Sequence, residues 1–213
     1  MMRSIFNTLL ILTGCLFSWS GAFSQSKLAF SVVAAPLYGH TKSTVTVILP
    51  DYNGSGTFTS QVLKSEFSSK GYWVGLNGRY SFSQKWSASG GLWFIESRVK
   101  TSASSSRSHN FSIPVMVNLQ TSERKLSPYF SAGALWNFGT TSHVNIPDIG
   151  AVIFKSEGKI SRISPVIGAG IIYHFAQRLS FIAQPTFSYA IPPSGINRHA
   201  YLLGLNVQLM FKL

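Results

Sequence analysis

Apolar and polar residues alternate with a period of two in eight segments of the chain. The last segment shows this best: Tyr201, Leu203, Leu205, Val207, Leu209, Phe211 and Leu213 share one face, and Gly204, Asn206, Gln208 and Lys212 the other. The remaining segments lie at residues 28–38, 72–82, 86–97, 111–119, 130–138, 163–175 and 179–191. Because successive side chains of a strand point to opposite faces, this period predicts β-strands rather than helices.

The distribution of residues along these segments favours a lipid-facing surface. In the last segment Leu and Val lie in the middle and aromatic residues at the ends, as in a strand whose apolar band is flanked by aromatic girdles. Each segment has close to the ~9–11 residues that a tilted strand needs to cross a bilayer. A closed barrel satisfies every backbone group in lipid. The sequence therefore predicts an all-β fold: a transmembrane antiparallel up-and-down β-barrel of about eight strands.

The connectors between the segments alternate in length. Short connectors lie at 83–85, 121–127 and 176–178, and long ones at 40–70, 100–109, 140–159 and 192–198. This alternation is typical of outer-membrane barrels, which have short periplasmic turns and long extracellular loops. It predicts that both chain ends lie on the periplasmic side.

Two of the long connectors contain further strand signals. Thr44–Leu49 and Thr57–Leu63 flank Asn53-Gly54, and Asn-Gly is a strong hairpin signal. We expect the first two strands to continue beyond the membrane as a ribbon, and residues 151–155 to do the same in the third outside loop. An extra strand pair, giving a ten-stranded barrel, is the alternative.

The N-terminus has the features of a cleavable signal peptide. Arg3 precedes an apolar stretch from Thr8 to Phe17, and Ala22-Phe23-Ser24 fits the small-x-small rule for cleavage. The prediction is a signal peptide at 1–24 and a barrel domain at 25–213, located in the cell outer membrane. Alternatively, Leu12-Thr13-Gly14-Cys15 matches a lipoprotein motif, and Cys15 would then be a lipidation site.

Composition and charge indicate the kind of surroundings that the protein meets. Hydrophobic residues make up 45% of the chain and charged residues only 11%, against roughly 25% charged in a typical soluble protein. The 18 Lys and Arg outnumber the 6 Asp and Glu, for a formal charge of +12. Such a charge favours an anionic partner. Since the chain has no nucleic-acid-binding motif, we expect lipid phosphates and no nucleic acid.

One stretch of the chain resembles a known family. It comprises the run at 113–119 (IPVMVNL), the charged turn Glu123-Arg124-Lys125, and the run at 128–134 (PYFSAGA). It resembles the PorT-like outer-membrane β-barrel domain family of Bacteroidota, in which an "IP" strand leads through a short turn into a "PY-x-x-x-G" strand. The end of the chain, with Gly204–Val207 and Phe211-Lys212, is similar to that family's last strand, although Leu213 stands where an aromatic residue is common. The resemblance implies the fold and the compartment, and no reaction.

Candidate chemistry is sparse. The histidines do not occur at metal-ligand spacing, so we predict no metal site and no cofactor. A lipid A hydrolase or acyltransferase would need a nucleophile, a histidine and an acid within hydrogen-bond reach. Ser108, His109 and Glu96 form the one such set that the sequence offers, and the alternation places Glu96 on the outer face near the rim. We therefore predict no catalytic residues, with a lipid A-modifying enzyme as the alternative.

The predicted lumen is polar but filled. An eight-stranded barrel leaves room for side chains and not for a solute path; a small-solute channel is nevertheless a second alternative. The polar residues predicted to line the lumen are Asn77, Arg79, Asn118, Gln184, Asn206 and Gln208. The alternation puts no carboxylate beside Arg79. We expect Arg79 to meet neutral polar groups, to lie near the watery periplasmic mouth, or to bind an anion.

Basic residues cluster on the predicted outside loops and strand tips. The candidates for contact with lipid A phosphates are Arg98, Lys100, Arg107, Lys155, Lys159, Arg162 and Arg198. Lys and Arg form charge-assisted hydrogen bonds with phosphate oxygens. The sequence thus predicts a non-enzymatic barrel that is structural, or that binds lipopolysaccharide or a protein partner through these loops. An ordinary solvated loop surface is the alternative.

Overall fold

The computed structural model describes residues 27–50, 58–101, 104–146, 150–155, 162–192 and 197–213. The predictions for residues 1–24 fall outside this part. The strands are β1 Leu28–Pro50, β2 Phe58–Ser81, β3 Trp86–Lys100, β4 Ser105–Gln120, β5 Leu126–Ile146, β6 Gly150–Lys155, β7 Arg162–His174, β8 Leu179–Ala190 and β9 Asn197–Lys212. Within the described ranges, no helix has the length and apolarity needed to span a membrane.

Eight of these strands form a closed antiparallel ring. Each pairs with its neighbour in the order β1-β2-β3-β4-β5-β7-β8-β9, and β1 pairs with β9 to complete the circle. β6 pairs with the far end of β5, from Thr141↔Lys155 to Ile146↔Gly150. The prediction of an eight-stranded barrel is confirmed. The ten-stranded alternative is wrong, because β6 is a hairpin extension of β5 and does not enter the ring.

The side chains divide between two surfaces as predicted. Apolar residues at mid-strand stand exposed on the outside, among them Val32, Leu76, Val115, Ile167 and Leu205. Exposed aromatic residues mark the end of the barrel at the short turns: Phe30, Tyr80, Phe82, Trp86, Phe130, Tyr173, Phe175 and Phe211. Others mark the opposite end: Tyr38, Tyr72, Phe111, Trp136 and Tyr201. An apolar band between two aromatic girdles is the surface that a bilayer requires.

The connectors differ in length as expected, but the strands extend further than predicted. The short turns lie at 82–85, 121–125 and 175–178; we call this the periplasmic end. β1 and β2 pair continuously from Leu28↔Tyr80 to Pro50↔Phe58, which confirms the ribbon. The loops predicted at 40–70 and 100–109 are therefore largely strand. Apart from the segments at 44–49 and 57–63, sequence alternation missed these residues because, outside the membrane, both faces of a strand can be polar.

Two apolar layers fill the lumen. The upper layer, nearer the long loops, contains Val33, Ala35, Leu37, Trp73, Trp93, Ile95, Met116, Leu135 and Val166. The lower layer, nearer the periplasmic end, contains Ala29, Tyr129, Ile172, Ile182 and Met210. Trp73 and Trp93 stack with ring centroids 4.9 Å apart, and Trp93 Nε1 donates to Asn77 Oδ1 at 2.8 Å. Opposite them, a Cβ on Gly204 would lie 2.7 Å from the Trp73 ring. Glycine at 204 therefore makes room for the tryptophan pair.

Candidate functional site

The predicted lumen residues lie inside the ring. Asn77, Asn118, Gln184, Asn206 and Gln208 are all buried. Gln184 Nε2 donates to Ser131 Oγ at 2.7 Å, and Asn118 Nδ2 donates to Ser89 Oγ at 3.0 Å. The first bond joins β8 to β5 past the intervening strand β7, and the second joins the neighbouring strands β4 and β3, so both add side-chain hydrogen bonds between strands inside the ring.

Arg79 lies in the periplasmic half of the lumen. Its Nη1 is 3.5 Å from Met210 Sδ, and its guanidinium carbon is 5.3 Å from the centre of the Tyr129 ring. These contacts with a thioether and a ring are weak compared with a carboxylate. The arginine therefore reaches the periplasmic mouth without a strong acceptor among the described residues.

A second charged site lies on the outer wall at the opposite, extracellular end. We call it the Glu96 cluster: Tyr72 on β2, Glu96 and Arg98 on β3, and Arg107 and His109 on β4. The register pairs Tyr72 with Glu96, Glu96 with His109, and Arg98 with Arg107. Since Ile95 packs in the upper lumen layer, the neighbouring Glu96 points outwards, where the other members cover it.

The Glu96 carboxylate holds two guanidiniums at once. Arg98 Nε donates to Glu96 Oε1 at 2.8 Å and Arg98 Nη2 at 2.7 Å, while Arg107 Nη2 donates to Oε2 at 2.7 Å. Tyr72 donates its hydroxyl to Oε2 at 3.0 Å. Glu96 is 2% exposed, but the Arg98 and Arg107 side chains are 63% and 50% exposed. Each guanidinium thus keeps an open side that can bind another anion.

The candidate catalytic set is not assembled. His109 Nε2 lies 3.5 Å from Glu96 Oε2, but Ser108 faces the other side of the wall, where its Oγ is 2.9 Å from Ser142 Oγ. Adjacent strand residues cannot both point to one face, so Ser108 cannot act with its neighbour His109. Within the described residues, no three His, Cys, Asp or Glu side chains are grouped to hold a metal ion.

The other predicted phosphate contacts are dispersed. Lys100 is exposed on the same face of β3 as Arg98. Arg198 alternates with exposed Asn197 and His199, so it faces inwards and away from the Glu96 cluster. Lys155 lies in β6 and Arg162 begins β7, but their side chains, like the whole of Lys159, lie outside the described part.

Tyr72 was not predicted as a site residue, and Glu96 was considered only as the acid of the catalytic set with Ser108 and His109. The signal was present in the spacing, because Glu96 and Arg98 are two residues apart in one strand and must share a face. The partners on the neighbouring strands could not be assigned without the register. In addition, Lys70 pairs with Arg98 and is exposed, which adds a further cation beside the cluster.

Residues 23–194 match a family model described as an outer membrane protein beta-barrel domain. The chain belongs to this family. It is an outer-membrane protein, as predicted. No curated protein matches the chain.

Solved structures of other bacterial proteins are similar to this chain. Neisserial surface protein A (NspA) is 13% identical over 87% of this chain and 99% of its own, with a TM-score of 0.53. The outer membrane protease OmpT from Escherichia coli is 8% identical over 90% and 98%, with a TM-score of 0.49. Ail, the attachment invasion locus protein of Yersinia pestis, is 15% identical over 83% and 97%, with a TM-score of 0.35. The likeness to NspA supports the fold alone.

Proposed function

We propose that this protein is a non-enzymatic outer-membrane barrel that binds lipopolysaccharide phosphates through the Glu96 cluster. The observation that carries the proposal is the pair of half-exposed guanidiniums fixed by one buried carboxylate. Glu96 neutralises one of the two arginines and leaves the cluster with a net positive charge. Phosphate oxygens are strong acceptors for arginine donors held in a fixed geometry.

The height of the cluster on the barrel supports a lipid headgroup as its ligand. Phe111 belongs to the extracellular aromatic girdle, and Phe94 packs beside it on the same outer face, with the ring centroids 5.5 Å apart. Glu96 is two residues beyond Phe94, which corresponds to about 7 Å along the strand. The arginines therefore reach out just above the apolar band, where the phosphates of outer-leaflet lipid are found.

Replacing Arg98 and Arg107 together with glutamine is expected to weaken binding of lipid A by about tenfold or more, since both charge-assisted contacts are lost. Binding of refolded protein to immobilised lipid A would measure the change. Arg124→Gln combined with Arg178→Gln is the matched control, because it also removes two charges, from exposed arginines on periplasmic turns. If the control loses as much affinity as the double variant, binding follows total charge and the proposal fails.

The Glu96→Gln variant distinguishes the effect of arginine orientation on lipid A binding from the effect of total positive charge. The variant has one more positive charge, so simple attraction would strengthen lipid A binding. We expect weaker binding instead, because Arg98 and Arg107, which face each other across strands β3 and β4, would repel and lose their common anchor. Gel mobility before and after boiling would verify that the variant forms a barrel. Tighter binding by a folded Glu96→Gln variant would contradict the role assigned to the carboxylate.

The absence of lipid A chemistry is a separate part of the proposal. Its support is the position of Ser108 on the opposite face from His109 and Glu96. Lipid A extracted from cells with and without the protein is expected to have the same mass profile. Loss of an acyl chain or gain of one, dependent on the protein, would establish an enzyme instead.

We also propose that the chain is a PorT-like member of this family, from Bacteroidota. The support is that Ile113-Pro114 lies in β4 and Pro128-Tyr129 in β5, joined by a short charged turn. Close homologues confined to another phylum would contradict this assignment.

A further inference from the structure

A cavity of about 760 Å³ opens at the periplasmic end of the barrel. We call it the periplasmic vestibule. Among the residues that line it are Lys27, Arg79, Gln120, Glu123, His174 and Lys212. Three of these are cations and Glu123 is the one acidic residue in the described lining. The vestibule therefore carries excess positive charge inside a protein wall, where charge interacts more strongly than in water.

The strand register explains why two of the cations share one space. Ala29 on β1 pairs with Arg79 on β2 and with Lys212 on β9, so the three residues form one row across three strands. All three line the vestibule. The backbones of β2 and β9 are about 10 Å apart in such a row, and the small Ala29 side chain lies between them. This leaves a gap flanked by two long cationic side chains.

Arg79 has unused hydrogen-bonding capacity in this gap. Its Nε is buried and has no hydrogen-bond partner among the described residues. The remaining contacts are Met210 Sδ at 3.5 Å and the Tyr129 ring at 5.3 Å. A buried N–H without an acceptor is costly, and an oxyanion in the vestibule would supply the missing acceptor.

His174 lines the vestibule as an uncharged side chain and adds no positive charge to this gap. The Gln120 amide nitrogen is 2.9 Å from His174 Nε2, and Ser180 Oγ is 2.6 Å from Nδ1. The amide N–H donates to Nε2, so we assign the ring proton to Nδ1 and treat the imidazole as neutral. The cations that flank the gap are then Arg79 and Lys212, and Lys27, two residues before Ala29, is a further cation of the same lining.

We propose that the periplasmic vestibule binds a small oxyanionic solute, with a phosphate or carboxylate group between Arg79 and Lys212. The cavity volume lies within the ~300–1,000 Å³ common for small-molecule sites. The basic turn residues Lys85, Arg124 and Arg178 lie on the turns around its entrance and would attract anions from the periplasm. This site is at the opposite end of the barrel from the Glu96 cluster and does not depend on the lipid-binding proposal.

The test is a calorimetric titration of the refolded full-length protein in micelles, in phosphate-free buffer. Pyrophosphate and citrate are the two probes, and they distinguish a phosphate ligand from a carboxylate ligand. We expect saturable binding of one of them. Arg79→Met and Lys212→Met should each weaken it by about tenfold or more. Binding of neither probe, or equal binding by the folded variants, would overturn the proposal.

Two further variants make the result specific. Lys125→Met removes a periplasmic cation that lies 5.6 Å from the Tyr173 ring and does not line the vestibule, so it should bind like the parent. Equal loss in Lys125→Met would mean attraction to the basic surface alone and would overturn the site. Ala29→Glu places a tethered carboxylate between the two cations and should abolish binding. It tests the same gap without removing Arg79, in case the arginine variants do not fold, and undiminished binding would again overturn the proposal.

Discussion

Replacing Trp93 with alanine is expected to lower the free energy of unfolding by about 3–5 kcal/mol. Trp93 is fully buried in the upper lumen layer, where it stacks on Trp73. Its removal leaves a cavity that the closed ring cannot collapse to fill. Asn77 Oδ1 also loses the hydrogen bond that it accepts from the Trp93 indole N–H at 2.8 Å. A buried acceptor without a donor lowers the free energy of unfolding further.

Urea titration of the refolded protein in lipid vesicles, followed by circular dichroism, would measure the effect. Trp136→Ala is the matched control, because Trp136 is 47% exposed on the outer wall of the same barrel. A lipid-facing tryptophan leaves no enclosed cavity when it is truncated, so we expect less than half the loss. Equal losses for the two variants would mean that the lumen layer is no more tightly packed than the girdle.

The parts of the fold that sequence predicted are those where the surroundings impose a pattern. Lipid outside and a packed lumen inside force alternation along β2 and β9, and the predicted faces agree with the observed exposure of Leu76 and Leu205 and burial of Asn77 and Asn206. The Asn53-Gly54 signal predicted the ribbon for a different reason, since it depends on local turn conformation. Both signals depend on residues that are close together in the chain, so they could be recognised without knowing how the strands pair.

Both charged sites, in contrast, depend on pairing between strands. Glu96 meets Arg107 only because β3 and β4 pair in one register, in which Arg98 lies opposite Arg107. Arg79 and Lys212 share the vestibule only because β1 lies between β2 and β9. A shift of one residue would send each side chain to the other face of the wall. Sequence alone identified Arg79 as an unusual lumen cation but could not place Lys212 beside it.

Arginine at position 76 provides the most direct test of the lipid-facing surface. Leu76 is 64% exposed and lies midway between Tyr72 and Tyr80 on the outer face of β2, which places it near the bilayer midplane. Leu76→Arg is expected to destabilise the folded barrel by about 2–4 kcal/mol, as charged residues do at that depth. Urea titration in vesicles would measure it.

Val62→Arg is the control that assigns this cost to lipid. Val62 is on the same strand and is 56% exposed, but it pairs with Thr46 in the ribbon beyond the membrane. Arginine there remains in water, so we expect almost no change. Equal costs at 62 and 76 would indicate that the penalty arises from strand packing, whereas a cost confined to 76 requires hydrocarbon against the middle of the barrel wall. The same contrast should disappear when both variants are unfolded from short-chain detergent that water penetrates, because the arginine at 76 would then be solvated.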